Sequence, residues 1–444
     1  MARALLDPLD FAADVVARAV KAGATQAEAT LSISERFSAE ARGETLTKLE
    51  QSTGNSLALR VFVGQRKAML HTSDLQALDD AIARTVAGAR FVGADPYAGL
   101  AGVPVGGPAS NLQIFAEDVA GRDAQSKIQE ARDLETAVRK CDSRIDNSNG
   151  ARYVDAVVTS ALANSLGFAG SYRATRASRG VSPVASDGPA KRTASYGTAA
   201  RSVFGLEPLQ SVAENAARRT VEMFGARKPQ TMRVPVIFER DVAAAVLADI
   251  FSSLSGANVV VGNSFLAEKM GERIGSALVT ILDDGVMPAG LGTAPYDGEG
   301  VPGRRTVLFD KGVLRSFALD TYYGRKLGME STANSAGGGI APNNVYLQVG
   351  SSGLCELIGA TARGVLVLET IGFATEYATG TYSRGARGFL IENGELTEPI
   401  EEFTIASTLA AMLAGIDAVA NDLRFDSTIV SPSFRVAEMT VSGS

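Results

Sequence analysis

The chain has 444 residues, 45% of them hydrophobic and 21% charged, with a mean hydropathy of +0.08. That composition excludes a disordered chain and allows large cores in two or three domains. A net charge of −6 and a pI near 5.2 argue against nucleic acid as the main partner, because binding phosphate needs a basic field.

Residue types narrow the chemistry further. Cys141 and Cys355 are the only thiols and lie far apart, which fits free cytosolic thiols and not a disulfide framework. His71 is the only histidine, at the end of a predicted strand, as a turn or solvent-facing residue or as a general base. One histidine cannot supply a His-rich zinc site, and no G-x-S-x-G accompanies it. The N-terminus carries Asp7, Asp10 and Asp14 within its apolar pattern, unlike a signal peptide, and no run approaches the roughly 18 apolar residues of a membrane span. A cytoplasmic location is expected.

In chain order, Leu9 to Ala22 reads as an amphipathic helix. Leu31, Ile33, Glu35, Phe37 and Ala39 then alternate with polar residues as a half-buried strand. TLTKLEQ and SLALRVFVG continue as strands, the second with Leu57, Leu59, Val61 and Val63 on one face, and Gly64-Gln65 turns into KAMLHTS. A helix over Leu75 to Ala89 completes a helix, meander, helix unit of α+β type. After a Gly/Pro/Ala-rich connection, a helix near Gln125 to Cys141 precedes two long antiparallel strands around Asn164 to Gly167, and the pattern runs on through KRTASYGTAARSV. Arg173, Arg176, Arg179, Lys191 and Arg192 make this hairpin basic, either as a solvated face and edge protection or as a groove for carboxylates. A helix over about Gln210 to Phe224 leads to a domain boundary near Gly225 to Arg233.

The second half opens on DVAAAVLADIFSSLSG, Asp241 to Gly256. Val242, Val246, Ile250 and Leu254 form one apolar stripe, with Asp241 as N-cap, Gly256 as C′ residue and Asp249 as the one interrupting acid. Strands follow at ALVTILDD, RTVLFD, VLRSFAL and GVLVLETI, a hairpin at Glu392-Asn393-Gly394, a helix from Leu409 to Ala420 and a last strand, FRVAEMTVSG. APYDGEGVPGRR and NSAGGGIAPNN lack the G-K-[ST] of a phosphate loop and read as irregular loops lining a cleft or interface. TGTYSRGARGF places four glycines in a strand, which marks either a bulge or the close approach of another backbone, such as an added peptide strand.

These segments together resemble the TldD/PmbA family: Asp297 to Val301, Lys326 to Gly328, Gly380 to Phe389, Asn421-Asp422, IENGEL and the closing MTVSG, with the N-terminal meander and Thr72 to Leu75. The resemblance implies a paired metallopeptidase. Its TldD-like subunit carries an HExxxH helix and a distant cysteine as zinc ligands and acts on unfolded or small peptides; its PmbA (TldE)-like subunit lacks them. Here Ala244 and Ala245 fall in the His-Glu slots, Asp249 in the second His slot and Ser431, beside Val430, near the cysteine position. Alanine methyls cannot donate to zinc, and one carboxylate makes a poor site.

The expectation is an α+β chain with an N-terminal helix/antiparallel-meander domain (1–228, linker about 93–124) and a C-terminal curved, barrel-like antiparallel β domain with helices (229–444). It would be the PmbA/TldE-like, non-catalytic subunit of a heterodimeric zinc metallopeptidase, with no catalytic or metal residues and no cofactor of its own, zinc residing in the HExxxH partner. Tyr382, Ser383, Arg384 and Gly385 are candidates for a peptide groove, and Asp297, Gly298, Glu299 and Gly300 for an interface, a cleft wall or a purely structural turn. The alternative is a metal-free homodimeric peptide-binding or regulatory protein, and a homodimer is also an expectation for the chain when alone. No membrane contact is expected.

Overall fold

The computed structural model describes residues 7–43, 45–102, 110–372 and 375–443. Helix α1 (Pro8–Lys21) starts where the Asp7 carboxylate accepts from Leu9 N and Pro8 fixes the first φ, and it buries Ala12, Val15, Val16 and Ala19. Strand β1 (Gln26–Arg42) follows, then β2 (Thr45–Val63) and β3 (Arg66–Thr72). The two strands expected within 45–64 are one strand of 19 residues, because every residue between them keeps a partner on β1. Helix α2 (Leu78–Ala89) begins later than expected, since the Thr72 hydroxyl and Asp74 carboxylate accept from Asp74 N and Gln76 N and hold a turn there.

After α3 (Glu117–Ala120) and α4 (Ala124–Cys141), the long hairpin β4 (Ile145–Asn164) and β5 (Ala169–Asp187) leads to β6 (Ala190–Thr193), β7 (Tyr196–Ala200) and α5 (Leu209–Val221). The strands form one antiparallel half-barrel in the order β3-β2-β1-β4-β5-β6, with β7 also on β5. Helices α1 and α2 cover Leu57, Leu59 and Val61 of β2, and α4 and α5 pack Leu134, Val138, Val212 and Ala216 over the β4–β5 end. The opposite face of the sheet turns toward the second half of the chain.

That half begins with β8 (Met232–Phe238), α6 (Arg240–Leu254) and α7 (Gly256–Val260). Then come β9 (Ile281–Asp284), β10 (Arg305–Asp310), β11 (Val313–Leu314), α8 (Thr321–Leu327), β12 (Val345–Leu347), α9 (Leu354–Gly359) and β13 (Arg363–Ile371). The chain ends with β14 (Thr375–Glu376), β15 (Thr381–Glu392), β16 (Glu395–Thr408), α10 (Leu409–Gly415), β17 (Ile416–Val419), β18 (Ile429–Val430) and β19 (Phe434–Ser442). Strands β13, β8, β19, β16 and β15 close into a five-stranded barrel through the β13–β15 pairing, and only β13–β8 is parallel. A smaller sheet, β11-β10-β9-β12-β18, packs beside it.

Several sequence expectations are corrected here. The strand expected over VLRSFAL stops at Leu314, because Arg315 N and Ser316 N both donate to Leu308 O and turn the chain away. The helix expected to Ala420 ends at Gly415; Ile416 and Val419 instead bury themselves in β17 against β19. Asn393 and Gly394 do adopt the positive φ that their hairpin requires. Among the described residues, no helix is long and apolar enough to cross a membrane.

Candidate functional site

Helix α6 buries Val242, Val246, Ile250 and Leu254 in the barrel core. Its N-cap is Glu239, whose carboxylate accepts from Asp241 N, so Asp241 lies within the first turn and not at the cap as expected. Gly256 does not end the helix in a left-handed turn; it opens α7, where a Cβ would meet Leu319 Cδ2 at 2.7 Å and Tyr323 Cβ at 2.8 Å. On the outer side Ala244 is half-buried and Ala245 exposed, while Asp249 is buried.

A buried carboxylate needs a partner, and Asp249 has three. Arg384 Nη2 donates to its Oδ2 at 2.7 Å, Thr375 Oγ1 donates to the same oxygen at 3.0 Å, and the Tyr377 hydroxyl reaches Oδ1 at 3.4 Å. The guanidinium is held in turn by Gly372 O at 2.8 Å, and it lies 5.5 Å from the centre of the Tyr382 ring. Burial keeps the Tyr382 phenol above its usual range, so it stays neutral near pH 7.

Ala244 and Ser431 come together on the wall of one cavity of about 230 Å³, with Arg240, Asp241, Arg424 and Asp426. Asp249 is not on that wall. The Ser431 hydroxyl donates to Pro432 O at 2.8 Å. The four residues in the family's ligand and base slots offer two methyl groups, one engaged hydroxyl and a carboxylate already neutralised by a guanidinium, and these residues do not fit zinc. Among the described residues there is no cluster of three or more His, Cys, Asp or Glu that could hold a metal.

Of the two readings of its glycines, strand β15 shows the bulge, with a register shift against β16 between Ala386 and Gly388, and Tyr382 and Gly385 do not lie on an open edge. Tyr382 pairs with Ser407 of β16 and Thr375 of β14, and Gly385 pairs with Thr404 of β16 and Ile371 of β13. The glycines serve packing within the barrel: a Cβ on Gly388 would fall 1.8 Å from Leu366 O. Ser383 sits between Tyr382 and Arg384 on the same ladder, opposite Ala406.

The Asp297–Gly300 segment is a joint between the two halves. Asp297 Oδ1 accepts from Glu299 N at 2.9 Å and Val301 N at 3.0 Å, and its Oδ2 accepts from Ser335 N at 3.0 Å. Glu299, 2% exposed, accepts from Arg60 Nη1 at 2.7 Å and from Thr321 N at 2.9 Å, while Arg60 Nη2 reaches Glu28 at 2.7 Å. One arginine of β2 thus ties two buried carboxylates, one from each half. Burial pushes Glu28 up to about 7, with Arg60 opposing and Glu299 adding to the rise. Burial and the Glu299 charge likewise push Asp297 to about 7. Glu299 stays below its usual range, since Arg60 and Thr321 outweigh its burial. Glu299 and Gly300 are buried in this joint. Asp297 and Gly298 do line a cleft of about 270 Å³ with Tyr172, Tyr296, Ser335 and Asn343.

His71 is exposed on β3 opposite Ala58, Cys141 is half-buried at the end of α4 and Cys355 is exposed on α9. The sequence reading missed Thr375 and Tyr377 beside Asp249, and Glu28 and Arg60 beside Glu299. A signal existed for Arg60 alone: it is the one charge in the apolar run SLALRVFVG.

The chain matches the PmbA/TldA metallopeptidase domain 1 over residues 27–89, the central domain over 117–224 and the C-terminal domain over 231–443. It is 32% identical to a metalloprotease PmbA homolog of Haemophilus influenzae, over 96% of this chain and 94% of that protein. It is 31% identical to metalloprotease PmbA of Escherichia coli O157:H7, over 94% and 92%. A crystal structure of a Bacteroides thetaiotaomicron protein, proposed as a modulator of DNA gyrase, superposes with a TM-score of 0.91 at 26% identity and 98% coverage of both chains. TldE from Thermococcus kodakarensis shares the fold, with a TM-score of 0.88 at 21% identity over 97% of this chain and 99% of that one. With domains, relatives and fold all in agreement, the chain belongs to the PmbA/TldD metallopeptidase family.

Proposed function

We propose that this chain is the non-catalytic, TldE-like subunit of a cytoplasmic heterodimeric zinc metallopeptidase that processes unfolded or small peptides. An HExxxH partner carries the zinc, and this chain contributes a wall of the substrate groove. The observation that supports this reading most is the state of Asp249. The side chain in the second His slot is neutralised by Arg384 and engaged by Thr375, while the neighbouring slots carry methyl groups. A water nucleophile would find neither a zinc ligand set nor a free general base at these three slots. The cleft beside Asp297 and Gly298 is the candidate groove wall, because the polar and aromatic side chains of Ser160, Tyr172, Tyr296, Ser335 and Asn343 line it.

The test is co-expression with a paralogue that carries HExxxH, followed by metal analysis and a peptide-cleavage assay on an unfolded substrate. About one zinc per heterodimer, with cleavage abolished by chelation, is the expected result, and the isolated chain should hold none. Stoichiometric zinc together with cleavage in the isolated chain would overturn the reading.

A further inference from the structure

One face of the half-barrel carries charge that the chain itself does not balance. Phe37 and Ala39 of β1, Tyr153 of β4 and Ala177 of β5 pack with Val119 of α3 and Ala131 of α4. Strand alternation therefore puts Arg36, Ser38, Val154, Ala156, Arg176 and Ser178 on the opposite face, away from those helices. The cross-strand register orders this face in rows. Ser32, Ser160 and Tyr172 form the row at the cleft beside Asp297, Arg36, Ala156 and Arg176 form a middle row, and Glu40, Arg152 and Gly180 form the row at a second cavity, of about 570 Å³. Each outer row stands four residues from the middle one, about 14 Å of strand, so the two cavities lie at the two ends of one trough.

The acids of this face are already engaged. Glu40 pairs with Arg152, and Glu50, across from Ser38 on β2, lies 3.0 Å from Lys48. In the basic hairpin, Arg179 lies 2.9 Å from Glu130, Arg192 bonds Glu401 at 2.6 Å and Arg173 lies over the Phe115 ring. Arg36 and Arg176 are exposed, and neither guanidinium has an ion pair or hydrogen bond among the described residues. Beside them Arg201 bonds only carbonyl groups; burial pushes it down to about 10, with the Arg176 charge adding and Tyr172 opposing. Three arginines without a carboxylate thus gather at the middle of the trough, in a chain whose net charge is −6.

We propose that this trough holds an unfolded peptide through an acidic side chain, whose carboxylate seats over Ala156 between Arg36 and Arg176. The inference rests on the cleft beside Asp297 as groove wall and names a substrate class for it: extended segments with a Glu or Asp about four residues from the part held in the cleft. Adjacent strands lie about 4.8 Å apart, so Arg36 and Arg176, one strand to either side of Ala156, stand about 10 Å apart. Both side chains can close on one group above the alanine methyl. The guanidinium fork matches the two oxygens of a carboxylate, and charge-assisted bonds of this kind are the strong ones. Ser38 and Ser178, in the next row, add hydroxyls beside the seat. A neutral or basic side chain at the same place would leave both guanidiniums unmatched.

The test titrates the full chain into a labelled, unfolded octapeptide with Glu at one inner position, and into the same peptide with Gln there, read by fluorescence anisotropy. The Glu peptide should bind about tenfold tighter or more, and moving the Glu along the peptide should give one best position. Arg36→Gln or Arg176→Gln should reduce the Glu peptide to the level of the Gln peptide, with circular dichroism preserved because both arginines are exposed. Arg36→Lys should retain part of the preference, since it keeps the charge and loses the fork, and added salt should shrink it. Equal affinity for the two peptides, a preference that survives both arginine substitutions, or no peptide binding at all would each overturn the proposal. Equally tight binding of a single-stranded oligonucleotide of similar length would overturn it in favour of a general anion site. Tyr172→Ala separates this seat from the cleft. A Glu preference that needs Arg36 and persists in Tyr172→Ala would support the seat and count against the cleft, whereas binding lost in Tyr172→Ala and indifferent to Glu would support the cleft and overturn the seat.

Discussion

Asp249 changes what its helix can do. A carboxylate on the α6 face could serve as a metal ligand or a base, but here Arg384 compensates its charge at 2.7 Å and both its oxygens are engaged. The guanidinium offers only donors, so it neutralises the site without giving a water molecule anything to act on. Both partners are about nine-tenths buried, 12% and 9% exposed at the side chain. Removing one partner strands the other, which costs about 3–5 kcal/mol where the site is dry. Arg384→Ala should lower unfolding stability by an amount near the lower end of that range, because Thr375 and Tyr377 still donate to the carboxylate. Asp249→Ala with Arg384→Ala should cost less than the sum of the two single changes. The coupling is read from a double-mutant cycle in denaturant, and single effects that simply add would contradict the account.

At the scale of elements, the loop joining the two halves depends on backbone contacts that admit no side chain. A Cβ on Gly298 would lie 2.4 Å from Gly337 N and 2.9 Å from Ser335 O, and its N–H already donates to Ser335 O at 2.8 Å. Backbone atoms cannot swing aside, so Gly298→Ala should cost about 1–3 kcal/mol as overpacking. Gly339→Ala, in the neighbouring loop with open space around its Cβ, should stay within about 0.5 kcal/mol of the parent. Comparison of their thermal midpoints checks this, and equal midpoints would remove the close-approach explanation. The same loop shows what was legible beforehand. The stripe of α6 and the alternation of β1 could be read because each buries one face at its own period. The N-cap of α6 could not, since Glu239 and Asp241 are both acids at the right place and only tertiary geometry selects between them. The Arg384 to Asp249 pair spans 135 residues, and no local pattern reports it. Strand spacing suggested a curved sheet, but closure through β13 and β15, which places Gly385 between two ladders, is a property of the whole barrel.

Across the whole molecule, arginines from either half reach into the other. Arg201 donates to the carbonyls of Gly290, Leu291 and Thr293, Arg325 to those of Tyr97, Gly99 and Leu100, and Arg60 to Glu299. A joint of this polarity answers to pH through its buried acids. Glu28 and Asp297 both sit at about 7 in the folded chain, above their ordinary values of 4.5 and 3.8. A carboxyl raised in this way binds its proton more tightly when folded. Its contribution to stability is complete below the ordinary value and is lost as pH rises through about 7. Glu28→Gln fixes the neutral form, leaves Arg60 its bond to Glu299, and still offers an oxygen to Arg60 Nη2. Relative to the parent, this variant should therefore gain stability between pH 5 and pH 8, by on the order of 2 kcal/mol. Carboxyls with the opposite shift, such as Asp142, held at about 2 by Arg144, are common to both proteins and cancel in the difference. Unfolding measured in parallel at several pH values isolates the effect, and a variant-minus-parent difference that stays flat across this window would show that the Glu28 proton takes no part in holding the two halves together.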